Sequence, residues 1–578
     1  MCGFVGIIDR LGYGNKVYKE KIEIMLKKIS HRGPDEQKFF IDEEESIYLG
    51  FARLSMIDLK DSSQPFYDKT TGYIILFNGE IYNFKLLKAM LLQHGYSFNT
   101  HGEVEVILKM FLEYDEDFVK YLDGMFAICI INTRTKDIRF FRDRFGIKPL
   151  YYSVTSEYIV FASELKGVMP LSGKELDYRA VELYLSYRFI PSPFSIIKGV
   201  SKLCPGEYIY VDQVGEKHKF FNLYNQTFAQ VPFCNEQFVS LIRESICSTF
   251  ESSDVPLGLF LSGGLDSGII ATYLKDFLKS NIYHITYCDD SEKSELAVVN
   301  ELAKELNIVP QKLVLDTAVI LDYMDNVLYY IDEPMYSSVS ISTFHLAKAA
   351  SHNIKGVLTG DGSDELVFGY GYLRDAISSN QKVYENYFNG IGWLKGIDKS
   401  EILIKQTVSQ YDIEDILLLN CKVENNIVET LRRVELYKRL ADYHLMRVDK
   451  LTMAVGVEAR LPFLRNSYVD YMLKISPEIF LGVKDAKGLL KQAIGKDLPN
   501  ALFHIEKKPF NAPIKNWIES VLKNDIYRLL HDKYIIEAVQ LNYNKVNQIL
   551  AEYDGSYKSV SNVWGIYLLL KWYNSNIL

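Results

Sequence analysis

The chain has 578 residues, 48% of them apolar, and 65 Lys and Arg against 74 Asp and Glu give a net charge of −9. That length calls for two or more domains with real cores, and an acidic balance without a long Lys/Arg run argues against a nucleic-acid partner. No apolar stretch reaches the ~20 residues that a bilayer span needs, no basic-then-apolar leader opens the chain, and the seven cysteines are scattered without a C-x-x-C pair. The expectation is a cytoplasmic protein of a reducing compartment, with neither membrane nor nucleic acid among its partners.

The chain opens Met1-Cys2-Gly3, ahead of an apolar run, Phe4 to Ile8, that reads as a buried strand. A small residue at position two permits removal of Met1. Cys2 would then carry an α-amine, with a pKa near ~8, beside its thiol as an internal general base. Taken alone, Met-Cys is as consistent with a chance early cysteine; the strand behind it fixes Cys2 in place. A helix over Lys19 to Ile29 leads to the tight loop Ser30-His31-Arg32-Gly33-Pro34-Asp35, and Arg53-Leu54-Ser55 follows a further strand. The strand Tyr73 to Phe77 runs into Asn78-Gly79-Glu80-Ile81-Tyr82-Asn83. An Asn side chain and a Gly amide at a strand end can converge on one oxygen and form an oxyanion hole, although Asn-Gly alone is more often a turn. A strand over Met125 to Ile131, the Arg142–Tyr152 loop and a strand-like stretch from Pro191 to Tyr210 complete this half.

These residues, together with Arg142-Asp143-Arg144-Phe145-Gly146-Ile147-Lys148-Pro149, resemble a class II, N-terminal-nucleophile glutamine amidotransferase domain. The resemblance implies an α+β four-layer (αββα) fold, two antiparallel sheets between helices. It makes Cys2 the nucleophile that attacks the glutamine side-chain amide and releases ammonia. Asn78 and Gly79 would hold the oxyanion, Arg53 the glutamine carboxylate, and Glu80 would help position the substrate. Where the family has a short Asp for the glutamine amine, this chain has Glu103, one methylene longer.

From about Glu236 the rhythm changes to strand–helix alternation: strands over Val255–Leu261, Ile282–Tyr287, Val309–Leu315 and Lys355–Thr359 alternate with helices. This is a doubly wound α/β parallel sheet with additional helices, whose ligands belong at the C-terminal strand ends. Two such ends carry chemistry. Leu261-Ser262-Gly263-Gly264-Leu265-Asp266-Ser267 is a Gly-rich turn into a helix whose amides and hydroxyls form a cup for a phosphate chain. Asp266 would repel phosphate unless a Mg²⁺ sat between them. Gly360-Asp361-Gly362-Ser363-Asp364-Glu365 supplies further carboxylates at a second strand end; alone it is equally an acidic turn. A helix is expected over Val455 to Arg460, and a packed helix over the C-terminal Ile566–Leu570 run.

The Ser-Gly-Gly-Leu-Asp-Ser loop resembles that of ATP pyrophosphatases. With Asp332-Glu333-Pro334, Arg447-Val448-Asp449-Lys450, Glu458-Ala459-Arg460-Leu461-Pro462-Phe463-Leu464 and Lys487-Gly488-Leu489-Leu490-Lys491, this half is similar to the synthetase domain of glutamine-dependent asparagine synthetases. The resemblance makes Asp266 and Asp364 the Mg²⁺ ligands, Ser262, Gly263, Gly264 and Ser267 the pyrophosphate grip, and Lys487 the residue that stabilises charge on the reacting phosphate. Leu261 and Thr286, with Gly360 and Asp361, would line the ATP site. Two departures bear on the acceptor: the family's Pro-Phe-Leu-Asp ends here in Arg465, and the late Arg-x-Lys-x-Gly-Phe pattern reads Ile505-Glu506-Lys507-Lys508-Pro509-Phe510.

The organisation expected is a glutaminase domain over 1–212, a linker over 213–235 and a synthetase domain over 236–578. Its substrates are glutamine, ATP and L-aspartate, with Mg²⁺ as cofactor, and the products are asparagine, AMP and pyrophosphate. Another carboxylate, a sugar acid or a peptide, remains the alternative acceptor, and a non-catalytic relative a third reading. A homodimer is compatible with the resemblance, but the sequence does not fix the oligomeric state.

Overall fold

The structure, a computed structural model, describes the chain except residues 1, 13–14, 43, 45, 57–62, 213–214, 216, 222–228, 279, 288–292, 380–381, 484–486 and 504–511. The strands in chain order are β1 (Cys2–Asp9), β2 (Glu36–Asp42), β3 (Ile47–Arg53), β4 (Phe66–Asp68), β5 (Tyr73–Ile81), β6 (Gly124–Asn132), β7 (Ile138–Arg142), β8 (Tyr151–Val154), β9 (Tyr158–Ala162), β10 (Ser201–Lys202), β11 (Glu207–Val211), β12 (Lys217–Phe221), β13 (Leu257–Phe260), β14 (Ile282–Tyr287), β15 (Gln311–Leu315), β16 (Gly356–Leu358) and β17 (Glu458–Arg460).

The first twelve build two six-stranded antiparallel sheets, ordered β10-β8-β9-β1-β3-β2 and β12-β11-β7-β6-β5-β4. Their central strands are apolar on both faces, and the period of two divides the residues between layers. In β5, Ile74 and Leu76 enter the core between the sheets while Ile75 and Phe77 pack on the helices Phe84–Gln93 and Glu103–Tyr114. In β1, Phe4 and Ile8 face the partner sheet, whereas Val5 and Ile7 face the helix Asn15–Ile29. The result is four layers: helices, sheet, sheet, helices.

Three local expectations change. Residues Lys217–Phe221, within the stretch read as linker, pair with β11 as an edge strand. The stretch from Pro191 to Tyr210 is not one strand but two short ones, β10 and the start of β11. Residues 455–460 form no helix; Glu458–Arg460 instead pairs parallel with β16 as the edge strand β17. Their apolar–polar pattern is too short to tell the two apart, and pairing with β16 decides it.

The third sheet is wholly parallel, ordered β15-β14-β13-β16-β17. The chain winds outward from β13 through β14 to β15, then returns to the other side of β13 to form β16. Its topological switch point therefore lies between β13 and β16, the place where open α/β sheets leave a crevice at their carboxyl ends. The loops at 262–267 and 360–365 follow these two strands. Helices fill the remainder, down to the C-terminal helix Tyr557–Asn576, whose residues from Ser561 to Tyr573 are all buried. No helix among the described residues is long and apolar enough to cross a membrane.

Candidate active sites

Cys2 stands at the head of β1, opposite Arg53 at the end of β3. Its backbone nitrogen donates to Asn78 Oδ1 at 3.1 Å. While Met1 is attached this nitrogen is a peptide N–H; it marks where the α-amine lies once Met1 is gone. Asn78 Nδ2 is buried and has no hydrogen-bond partner among the described residues, as a donor waiting for a substrate oxygen requires. Asn78 and Gly79 do not end their strand as expected: β5 runs on to Ile81 and pairs Asn78 with Ala127 and Gly79 with Phe126. Gly79 is needed sterically, since a Cβ there would lie 2.0 Å from the Met125 carbonyl oxygen.

A cleft beside Cys2 is lined by Arg53, Ser55, Gln64, Gly79, Glu80 and Glu103, among others. Glu103 opens the helix Glu103–Tyr114 and its Oε2 accepts from Ile81 N at 2.8 Å, so the longer side chain reaches back over the strand. Burial, with Glu80 alongside, holds its carboxyl well above the ordinary range. Burial also raises the Glu80 carboxyl, against the pull of Arg460. Desolvation likewise raises the Cys2 thiol, with Arg53 among the groups opposing it, so the thiol needs its proton taken by a base at the moment of attack. Two contributors have no role in the sequence reading, Gln64 unremarked there and Arg32 only part of a motif. Gln64 bonds the Phe77 backbone twice, at 2.6 and 3.1 Å, tying the cleft wall to β5. Arg32 Nε donates to the Cys2 carbonyl at 3.2 Å.

In the other half, the 262–267 turn spends its hydroxyls on its own shape: Ser262 Oγ and Ser267 Oγ share a hydrogen bond of 3.0 Å, and Gly264 N donates to Ser262 Oγ at 3.2 Å. The helix Leu265–Leu278 begins within it. Gly360 at the end of β16 lets the two loops meet, since a Cβ there would lie 2.9 Å from Asp266 Cβ. Lys487, one residue before the helix Gly488–Ile494, joins them: its Nζ bonds Asp266 Oδ2 and lies 2.8 Å from Asp364 Oδ1. Burial pulls the Lys487 pKa down, but the two carboxylates more than reverse this and raise it, so it is a cation.

Among the described residues Asp266 Oδ1 is buried without a partner, as are the hydroxyls of Thr359 and Ser363 around the 360–365 loop. Among the described residues no group of three or more His, Cys, Asp or Glu could hold a metal. Two carboxylates with one open oxygen suit Mg²⁺, which takes its other ligands from phosphate and water. Asp361 lies 3.9 Å from Arg447 Nη2. Thr286 Oγ1 donates to Leu313 O at 3.3 Å. His284, unnoticed in the sequence, sets Nδ1 2.9 Å from the Leu261 carbonyl with Nε2 buried and unpartnered. Glu365 receives Tyr370 OH at 2.7 Å, and burial beside Asp364 pushes its pKa up to about 8.

Several motif residues lie in the joint between the halves. Asp332 takes Lys450 Nζ at 2.8 Å, Lys166 Nζ at 2.7 Å and Leu165 N at 3.0 Å; Glu333 takes Tyr151 OH and Lys202 Nζ, both at 3.0 Å. Asp449 lies between Arg32 (2.9 Å) and Lys148 (3.1 Å). The helix Met446–Met453 thus touches the 360–365 loop through Arg447 and the Cys2 side through Asp449. Arg465 also turns to the joint. Its Nε and Nη2 hold Asp123 Oδ2 at 2.9 and 2.7 Å, and its guanidinium lies over the Tyr82 ring. The altered 505–510 stretch, with Lys507, falls outside the described residues.

Comparison with known proteins agrees with both halves. A family model described as a glutamine amidotransferase domain matches residues 1–222, and one described as asparagine synthase matches residues 237–574. The chain belongs to the asparagine synthase family. A glutamine-hydrolysing asparagine synthetase 1 of Bacillus subtilis is 28% identical over 100% of this chain and 97% of its own. A glutamine-hydrolysing asparagine synthetase of Zea mays is 28% identical over 94% of this chain and 83% of its own. A protein of Gibberella zeae named amidase chry2 is 24% identical over 92% of each chain. In family terms, the four-layer half is the amidotransferase and the parallel sheet with its helices is the synthase.

Proposed function

We propose that this chain makes asparagine from L-aspartate, with glutamine as nitrogen donor and ATP as activator. The observation that carries the reading is the Asp266–Lys487–Asp364 cluster at the switch point of one domain, in the same chain as a Cys2–Asn78 site in the other.

In the first site the Cys2 thiol gives its proton to the α-amine of the same residue, and sulfur attacks the glutamine amide carbon. The oxyanion that forms meets Asn78 Nδ2 and the Gly79 N–H. Arg53 holds the glutamine carboxylate. The glutamine ammonium comes to Glu103, and that charge favours the ionised carboxylate against the burial that raises its pKa. Ammonia leaves, and water hydrolyses the thioester.

In the second site the β-carboxylate of aspartate attacks the α-phosphorus of ATP and pyrophosphate departs. Lys487 stabilises the charge that builds on the phosphate, and the amides of 262–267 receive the pyrophosphate. Asp266 and Asp364 would hold Mg²⁺, which neutralises charge on the phosphate oxygens. Ammonia from the first site attacks the acyl carbon and AMP leaves. Asp361 and Gly360 line the nucleotide, with Leu261 and Thr286 nearer the adenosine.

The domain limits proposed are 1–221 and 236–578, the first extended from 212 because β12 belongs to its sheet. The cytoplasm is the proposed location, in keeping with free thiols at the six described cysteines, and the partners are small molecules. The alternative acceptor now rests on the 505–510 stretch alone, because Arg465 is engaged with the amidotransferase half. The test is pyrophosphate release from Mg-ATP and glutamine with and without L-aspartate. Aspartate-dependent pyrophosphate matched by asparagine and AMP is expected. Glutamine hydrolysis with no aspartate-dependent pyrophosphate would overturn aspartate as the acceptor.

A further inference from the structure

The segment from Glu458 to Asn466 touches both halves of the reaction. At one end β17 pairs with β16, whose carboxyl end carries the 360–365 loop, and Thr359 N donates to Arg460 O at 3.0 Å. Leu464 packs on Gly362, where φ is +95° and an added Cβ would come within 2.5 Å of Leu464 Cδ2. On its other side Arg460 Nη2 lies 3.1 Å from Glu80 Oε1, next in sequence to the oxyanion residue Gly79. Arg465 and Asn466 then grip the turn before β6. Arg465 holds Asp123 Oδ2 through two nitrogens, Asn466 N donates to Asp123 Oδ1 at 3.1 Å, and Asn466 Nδ2 donates to Leu122 O at 3.0 Å.

That turn supports the end of the oxyanion strand. Tyr82 N donates to Asp123 O at 2.9 Å, and Asp123 N donates to Asn83 Oδ1 at 3.1 Å. Beside the grip, a cleft of about 150 Å³ opens between the halves, lined by Leu122, Gly124, Phe126, Arg144, Asn466 and Asp470. Gly124 and Phe126 are the β6 residues paired with Ile81 and Gly79. The seam thus runs one strand away from the oxyanion residues, with the Arg465 fork on Asp123 and an Arg144–Asp470 ion pair of 2.5 Å along it.

We propose that Arg465 is a positioning residue for ammonia transfer: its fork on Asp123 holds the end of the oxyanion strand against the synthase half and keeps the seam from widening beyond the cleft beside it. A planar guanidinium that meets one carboxylate through two nitrogens resists shear as a single contact does not. Ammonia is small and neutral and escapes through any water-filled gap, where it is protonated and lost to the reaction. Widening the seam therefore leaves the synthase step intact and lowers the fraction of ammonia delivered per glutamine consumed.

This inference rests on the proposed function, and its readout is separate from it. Glutamine consumed and asparagine formed are measured together for the full chain, and asparagine synthesis is measured again with ammonium chloride replacing glutamine. The wild-type chain establishes the function. If it forms no amide from glutamine, that reading fails and the inference falls with it. Given a working wild type, Arg465→Ala and Asp123→Ala are each expected to raise glutamine consumed per amide formed by roughly twofold or more, the double variant no further than either single one. Ammonia-driven synthesis stays at the wild-type level, and Arg465→Lys recovers part of the ratio. An unchanged ratio in folded Arg465→Ala overturns the proposal. So do additive single effects, or a parallel fall in ammonia-driven synthesis, which would mean that the pair only holds the fold together.

Discussion

Replacing Lys487 by Gln removes the one unit of positive charge that the structure sets between Asp266 and Asp364. The cluster then changes from one net negative charge to two, facing the place where a phosphate chain must come. At an effective dielectric near 20 and a separation of ~4 Å, one unit charge is worth about 4 kcal/mol. Since 1.36 kcal/mol is a factor of ten in rate, the full term approaches a thousandfold. A bound divalent cation and water offset part of it, which leaves the ~10²–10³ typical of losing one preorganised electrostatic donor. The assay is pyrophosphate release from Mg-ATP and L-aspartate with saturating ammonium chloride, so that Cys2 takes no part. Glutamine hydrolysis by the same preparation reports on folding and on the other domain. The expected result is a hundredfold or greater loss of the first, on the order of the charge term, with the second retained. Pyrophosphate release comparable to wild type would refute the assignment. Loss of both activities from a folded chain would refute the independence of the two sites.

Three further outcomes follow from the same geometry. Cys2→Ala is expected to abolish glutamine use while ammonia-driven synthesis continues; persistent glutamine hydrolysis would remove Cys2 from its role. Gly79→Ala places a methyl group 2.0 Å from the Met125 carbonyl oxygen. The strand must shift, so glutaminase activity should fall far more than ammonia-driven synthesis, and equal effects on both would count against a local oxyanion role. Asp449→Asn strips the counter-charge from Arg32 and Lys148, both buried, and should cost about 3–5 kcal/mol in denaturant unfolding; a cost within ~0.5 kcal/mol, as for an ordinary surface site, would contradict the network.

Acid should act on the same joint. Burial pushes the Glu164 carboxyl up, but Lys166, His31 and Arg32 hold it well below the usual range, and Arg32 and Lys148 do the same for Asp449. A folded value below the unfolded one contributes stability that is present above the unfolded pKa and lost as pH falls. The thermal midpoint should therefore drop from about pH 5 downward. Glu164→Gln should flatten that limb, and an unaltered acid limb would show that the joint does not titrate.

What could be read from the residues was local. The β–loop–helix turn at 262–267, the acidic loop after β16 and the Cys2 strand each declare themselves through a few neighbouring side chains, because a phosphate cup or a strand-end nucleophile is built from consecutive backbone. The alternation of apolar residues in β1, β5 and β6 likewise implies sheets covered on both faces. Short segments without enough period to choose a partner were misread. Residues 458–460 became an edge strand because β16 offered them a free edge, and Lys217–Phe221 joined β11 for the same reason.

The sequence by itself determined two chemistries and the strand ends that carry them. Only the tertiary structure decided how they are joined. Asp332, Glu333, Asp449 and Lys450 stand out in the sequence only as parts of family motifs, and Arg465 as a departure that bears on the acceptor. Asp332, Glu333, Asp449 and Arg465 instead form ion pairs with Lys166, Lys202, Arg32 and Asp123 of the amidotransferase half, more than a hundred positions away in the chain, and Lys450 hydrogen-bonds the Tyr151 hydroxyl there. A buried charge needs its counter-charge within a few ångströms whatever the separation along the chain. No local pattern names that partner, so the joint between the two sites became visible only when the sheets were packed.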